Sequence, residues 1–156
     1  MRNVLAGLSF GVDYERLINV LCLTSCVFLL SNCTNQEHKQ ATKFDQYYVI
    51  GQGLYLTHCS NCHQKKGTGL GLVYPPLNTS DFMDQHFEEV VCLMKNGREG
   101  ELRVNDKSYN KPMKGIASLT ELEIAEITTY IYNTWSHKRG IVEVKEVITA
   151  LSTCPN

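Results

Sequence analysis

The chain has 156 residues, 43% of them hydrophobic and 20% charged, with a formal net charge of -1, which suits one modest globular domain plus a removable N-terminal segment. Basic and acidic residues nearly cancel and are interspersed, so no single-sign field would draw the chain onto a phosphate backbone. That excludes a nucleic-acid binder and leaves partner choice to local patches.

Leu17 to Leu30 carries no charge and is bounded by Arg16 before it and the polar run from Thr34 to Gln40 after it. A membrane-spanning helix needs about 20 apolar residues, whereas a secretory hydrophobic region has roughly 7 to 15, so this stretch reads as a signal peptide over residues 1–32. Leu30-Ser31-Asn32-Cys33 is similar to a bacterial lipoprotein box, in which the cysteine is lipidated and becomes the first mature residue. Leu23-Thr24-Ser25-Cys26 is the better box by sequence, but cleavage there would leave Val27 to Leu30 exposed, which favours Cys33. Asp13 and Glu15 are unusual for the charged start of a signal, so the true start is left open. An uncleaved anchor would leave the domain on the same side of the membrane. Residues 33–43 then form a lipid-anchored polar linker.

The folded part is expected over residues 44–137. Tyr47, Tyr48, Gly51, Leu54 and Tyr55 recur at helical spacing and predict an amphipathic helix over 44–58. Residues 64–85, with Gly67, Gly69, Gly71, Pro75 and Pro76, read as a long loop. A second helix is expected from Gln85 to Asn96, with Phe87, Val90, Val91 and Met94 inward, and residues 101–117 as irregular chain. Thr120 and Glu123 form a capping box that opens the clearest helix, with Leu122, Ile124, Ile127, Ile131 and Trp135 on its apolar face and an end near Gly140. Residues 138–156 are a C-terminal extension packed on the domain, in which Val142 to Leu151 is either a short helix or partly strand.

The seven cysteines sort by context. Cys22 and Cys26 belong to the apolar stretch, Cys33 to its end, and Cys59-Ser60-Asn61-Cys62-His63 is the attachment signature for c-type haem. Two thiols separated by two residues can form thioethers to the two vinyl groups on one porphyrin edge, which brings the imidazole of His63 to the iron. Zinc would require four ligands, and a second Cys/His pair at suitable spacing is missing. A redox dithiol is the remaining alternative. Cys92 and Cys154 are left over. An oxidising compartment makes a disulfide between them plausible, against two separate buried thiols.

A six-coordinate iron needs a second axial ligand, for which Met83, Met94, Met113, His58, His86 and His137 are candidates. Met113 is the best, because Lys111-Pro112-Met113 lies in irregular chain far enough along to reach the opposite face. Met94 falls on an inward helical stripe where packing is its expected role, and Met83 is the runner-up.

From about Gly51 to Trp135 the chain resembles a class I cytochrome c. Gly51 and Tyr55 precede Cys59 where that family has a glycine and an aromatic residue, Ile127 and Tyr130 match their partners on the last helix, and Tyr74-Pro75-Pro76-Leu77 is similar to the family's proline loop. The resemblance implies an all-α fold wrapped around one covalently bound haem c, with the Pro75 carbonyl accepting the ring N–H of His63. It implies electron transfer with His63 and Met113 as axial ligands, in a bacterial respiratory or periplasmic redox chain, and no enzymatic activity. Its partners would be redox proteins, the membrane would be reached through the lipid anchor on the periplasmic side, and the protein would be a monomer. Two alternatives remain: a haem subunit of a larger oxidoreductase complex, and an open-site haem protein with peroxidase or gas-sensing activity.

Gly67-Thr68-Gly69-Leu70-Gly71 lacks the preceding strand of a dinucleotide loop and reads as a turn beside the haem. Lys65, Lys66, Lys111 and Lys114 flank the ligand segments and could rim an exposed haem edge. Asp81, Asp84, Glu88 and Glu89 read as exposed helix-start charges.

Overall fold

The structure, a computed structural model, describes residues 39–155 together with Tyr14 and Glu37. Apart from Tyr14, the expected signal segment lies outside the described residues, as do Cys22, Cys26 and Cys33. Among the described residues no helix is long and apolar enough to cross a membrane. The chain divides into two units, Met1–Gln40 and Ala41–Asn156.

The second unit holds α1 (residues 41–58), α2 (Ser60–His63), α3 (Asp81–Gln85), α4 (Phe87–Asn96), α5 (Glu121–Ile131) and α6 (Val144–Ser152). Four very short strands lie between α4 and α5: β1 (Gly97–Arg98), β2 (Leu102–Val104), β3 (Lys107–Tyr109) and β4 (Met113–Lys114). They pair antiparallel as β1 with β4 and β2 with β3. Helices carry the architecture, and the strands only shape the chain between two of them.

The core forms where α1 crosses α5. A Cβ on Gly51 would lie 2.0 Å from the carbonyl oxygen of Glu126, so only glycine lets the two backbones approach this closely. Around the crossing Tyr55 is fully buried, and Tyr48 meets Tyr130 edge-on with ring centroids 5.2 Å apart. Trp135 adds its ring at 5.6 Å from Tyr55 and 5.9 Å from Tyr130. Such edge contacts suit the charge distribution of aromatic rings and add to the burial of their area.

α5 opens with the capping box that its sequence spacing predicts. The Thr120 hydroxyl accepts the Glu123 backbone N–H at 3.2 Å, and the Glu123 carboxylate accepts the Thr120 N–H at 2.8 Å. The helix ends earlier than its apolar spacing suggests. Tyr132 caps it, and the backbone then turns through Trp135 at φ 64°. Trp135 therefore packs from a turn instead of from the helical face, and Leu122 stays 44% exposed while Ile124 and Ile127 are buried.

The segment expected as loop up to residue 85 ends in α3, because the Ser80 hydroxyl accepts the Met83 N–H and caps a turn of its own. His86, at φ -129° and ψ 51°, breaks the chain there, so α4 begins at Phe87 and not at Gln85. Three of the acidic residues at these helix starts have partners: Asp84 lies 2.8 Å from a His137 ring nitrogen, Asp81 accepts the Asn105 N–H, and Glu89 pairs with Arg98 at 2.6 Å. The C-terminal extension resolves as a helix. Glu143 and Glu146 cap α6 reciprocally, and Val142, Val147 and Ala150 are buried as α6 packs on α4 and α5. Cys92 of α4 and Cys154 just beyond α6 are joined by a disulfide.

Gly51→Ala is expected to cost about 3 kcal/mol or more in a denaturant titration, since the new methyl meets backbone that cannot move aside. Gly53→Ala, two residues away on the same helix with nothing within 4 Å of its Cβ, should instead gain roughly 0.5–1 kcal/mol.

Candidate haem site

α1 leads directly into α2. The Cys59 N–H donates to the Tyr55 carbonyl at 2.9 Å, and the His63 N–H donates to the Cys59 carbonyl at 3.0 Å. Helical backbone thus puts Cys59 and Cys62 three residues apart on one face, with His63 alongside. Both thiols are free and half-buried. Burial pushes the Cys59 thiol up to about 11, with the neighbouring Cys62 adding to the effect.

His63 is 8% exposed and its Nδ1 lies 3.0 Å from the Pro75 carbonyl oxygen. A carbonyl only accepts, so Nδ1 carries the proton and Nε2 keeps its lone pair, the form that can ligate a metal. Burial lowers the imidazole's pKa, and the bond to Pro75 works against it.

The proline loop is held without regular structure. The Tyr55 hydroxyl donates to the Gln64 carbonyl at 2.6 Å, and the Gly67 carbonyl accepts both the Leu77 and the Asn78 N–H at 2.8 Å. Gly69 sits at φ 64°, and a Cβ there would come within 2.2 Å of the Tyr74 carbonyl oxygen and 2.7 Å of the Pro75 carbonyl oxygen.

Cys59, Cys62, His63, Tyr74 and Pro75 line one side of a cavity of about 790 Å³. Leu93, Met94, Leu102, Ile116, Leu119 and Ile127 supply apolar walls, and Met113 lines the cavity from β4. The volume falls within the range of small-molecule sites. Met113 is placed by close backbone packing against the end of α4. Arg98 pairs opposite Met113, and the Ile116 N–H donates to the Met94 carbonyl at 2.9 Å. A Cβ on Gly97 would lie 2.4 Å from the Gly115 nitrogen, and the Lys95 ammonium donates to the carbonyls of Ala117 and Leu119 at 2.9 and 2.5 Å.

The other ligand candidates separate by position. Met94 and the exposed His58 share the cavity; Met83 is buried on α3 and His86 is exposed with its ring tilted against Phe82, and neither lines it. Both ring nitrogens of His137 are already bonded. Lys111 and Lys114 line the cavity, whereas Lys65 and Lys66 border a separate polar groove with Ser60, Asn61, Gln64 and Thr68. No group of three or more His, Cys, Asp or Glu that could hold a metal ion occurs among the described residues.

Sequence reasoning missed the cavity lining by Arg98, Leu102 and Tyr109. Their alternation across short strands was too brief to register, although Leu102 pairs with Tyr109 across a hairpin whose turn is Asn105-Asp106.

Helices packed around an apolar cavity, with a Cys-x-x-Cys-His on one wall, define a c-type cytochrome of class I. A model of the cytochrome c family matches residues 48–135, more than half of the chain, and the protein belongs to that family, whose cofactor is covalently attached haem c with its iron. It is similar to cytochrome c-552 of Thermus thermophilus, 26% identical over 87 residues that cover 53% of this chain and 66% of that protein. A second cytochrome c-552, from a named strain of the same organism, is likewise 26% identical over 87 residues, covering 53% of this chain and 59% of the relative. The match thus spans less than two thirds of either relative's length.

Gly69→Ala forces a left-handed residue to carry a methyl that presses on the Pro75 carbonyl. We expect a loss of about 2–4 kcal/mol in thermal or denaturant unfolding. Gly71→Ala, at φ 55° with nothing within 4 Å, should cost only the backbone term of about 1–2 kcal/mol.

Proposed function

We propose that this protein is a one-electron carrier with a single haem c, attached by thioethers to Cys59 and Cys62 and ligated axially by His63 and Met113, in a bacterial respiratory or periplasmic redox chain. The observation that carries the reading is one cavity lined from one side by Cys59, Cys62 and a His63 with only Nε2 free, and from elsewhere by Met113. The residues fit the group. Two thiols are free, the walls are apolar, and the charged Arg98, Lys111 and Lys114 on the lining suit the carboxylates of a porphyrin. Arg98 also keeps a buried Nε–H that has no partner among the described residues. When bound, the haem iron supplies a one-electron couple.

The chain's own residues do the rest. Pro75 holds the His63 proton on Nδ1, which fixes the ring and strengthens its donor nitrogen. A thioether from Met113 is a weak neutral ligand that favours the ferrous state over a second imidazole. The apolar walls would keep water from the haem, and with His63 and Met113 both bound to its iron no position would be left for substrate, which supports a carrier over an enzyme. Residues 1–32 serve export, Cys33 carries the lipid, 33–43 form the tether, 44–137 the haem domain and 138–156 the extension packed on it. The Cys92–Cys154 disulfide supports an oxidising compartment on the periplasmic side. Its partners are redox proteins that meet a monomer by brief docking.

The test is an absorption spectrum of protein matured with haem-attachment machinery, oxidised and reduced, with Met113→Ala alongside. A low-spin c-type spectrum whose weak red-edge band disappears in the variant is expected. A wild type that is already high-spin and binds carbon monoxide readily would replace this reading by the open-site one.

Lys111→Glu with Lys114→Glu should slow electron exchange with a redox partner at low salt, and the difference should shrink toward 1 M salt, where the screening length is about 3 Å. Equal rates and equal salt dependence would remove these lysines from docking.

A further inference from the structure

The chain beyond α5 closes over the proline loop. Trp135, at φ 64°, adopts a backbone region costly for a bulky residue, and such strain persists only where surrounding contacts over-determine it. Its ring lies against Gly67, where a Cβ would come within 2.6 Å of it. The turn delivers the next two side chains to the same loop. The Ser136 hydroxyl accepts the Thr79 N–H at 2.8 Å. His137, 6% exposed, donates from Nε2 to the Leu77 carbonyl at 2.8 Å, and its Nδ1 lies 2.8 Å from an Asp84 carboxylate oxygen. Leu77 follows Pro75 by two residues, and its N–H is bonded to Gly67. Ser136 and His137 lie beyond the residues matched by the family model.

We propose that Ser136 and His137, aimed by the turn at Trp135, are positioning residues for the axial histidine: by holding Thr79 and Leu77 they fix the Pro75 carbonyl on the His63 Nδ1–H. The inference rests on His63 being the iron ligand. Nothing else among the described residues donates to the Leu77 carbonyl. A carbonyl that loses its buried donor loses an interaction comparable to its desolvation penalty, so the loop shifts toward water. The stretch from Leu77 to Pro75 passes through Pro76, whose ring fixes its own φ, so displacement at Leu77 is carried to the Pro75 carbonyl instead of being absorbed. A weaker Pro75 bond makes the imidazole a poorer donor and favours ferrous iron.

The experiment uses the mature holoprotein, reduced and isotope-labelled. Solvent exchange of the His63 Nδ1–H is followed by NMR beside the backbone amides of Ile124 and Ile127, and the midpoint potential is measured on the same samples. His137→Ala should speed Nδ1–H exchange about tenfold or more, while the two core amides keep their rates. His137→Gln, whose amide can still donate to the Leu77 carbonyl, should restore most of the protection. Ser136→Ala, which changes no charge, should raise the potential, and Lys138→Ala, exposed beside it, should do neither.

The inference is overturned if folded His137→Ala exchanges like wild type, or if the core amides speed up in step with the Nδ1–H, which would make His137 a stability residue only. If His137→Ala does not accumulate, Ser136→Ala decides, and a wild-type potential in that folded variant overturns it. A wild type without a protected Nδ1–H or without a low-spin spectrum defeats the assignment of His63 itself, an outcome separate from the failure of the variants.

Discussion

Backbone-to-backbone contact of α1 with α5 at Gly51 governs the rest of the structure. With 2.0 Å between a hypothetical Cβ and the Glu126 carbonyl oxygen, the two helices can meet only at this residue and at this depth. α1 continues into α2, so the crossing sets where Cys59, Cys62 and His63 stand, while Ile127, next to Glu126, becomes cavity wall. The aromatic cluster of Tyr48, Tyr55, Tyr130 and Trp135 fills the wedge that the crossing leaves open.

The wall that carries Met113 is built from less regular chain and needs different means. Between α4 and α5 the backbone satisfies itself through two-residue strand pairs, the Lys95 ammonium on two carbonyls, and a pair of glycines, Gly97 and Gly115, that let the Met113 segment lie on the end of α4. Buried backbone groups that lack a ladder must find such partners, and here each is local enough to hold a single side chain in place.

α6 and the disulfide support that wall from behind. Leu93 and Met94 line the cavity on one side of α4, while Cys92, beside them in sequence, bonds to Cys154. The bridge spans 62 residues; in the chain-entropy picture a loop of that length contributes roughly 4 kcal/mol by restricting the unfolded chain. A small domain built around a cofactor cavity has less side-chain core than its length suggests, and the covalent closure offsets part of that deficit.

Local chemistry was legible in the sequence. Cys59, Cys62 and His63 identify themselves by spacing, the Thr120–Glu123 capping box marks the start of α5, and the recurrence of Tyr47, Tyr48, Gly51 and Tyr55 marks the inner face of α1. Each signal spans fewer than ten residues and depends on one helix's periodicity. What needs two distant segments was decided only in three dimensions. The periodicity through Ile131 says nothing of the turn at Trp135, because that turn is set by contacts with Gly67. Sequence position separates Met113, in irregular chain, from Met94, on an inward helical stripe, yet both prove to line the cavity. His137 is one of several candidate iron ligands in the sequence until Leu77 and Asp84 close on both of its nitrogens. Spacing along the chain determines which groups can react together within a helix turn. Which carbonyl meets which ring across sixty residues is fixed by packing, and packing is a property of the whole fold.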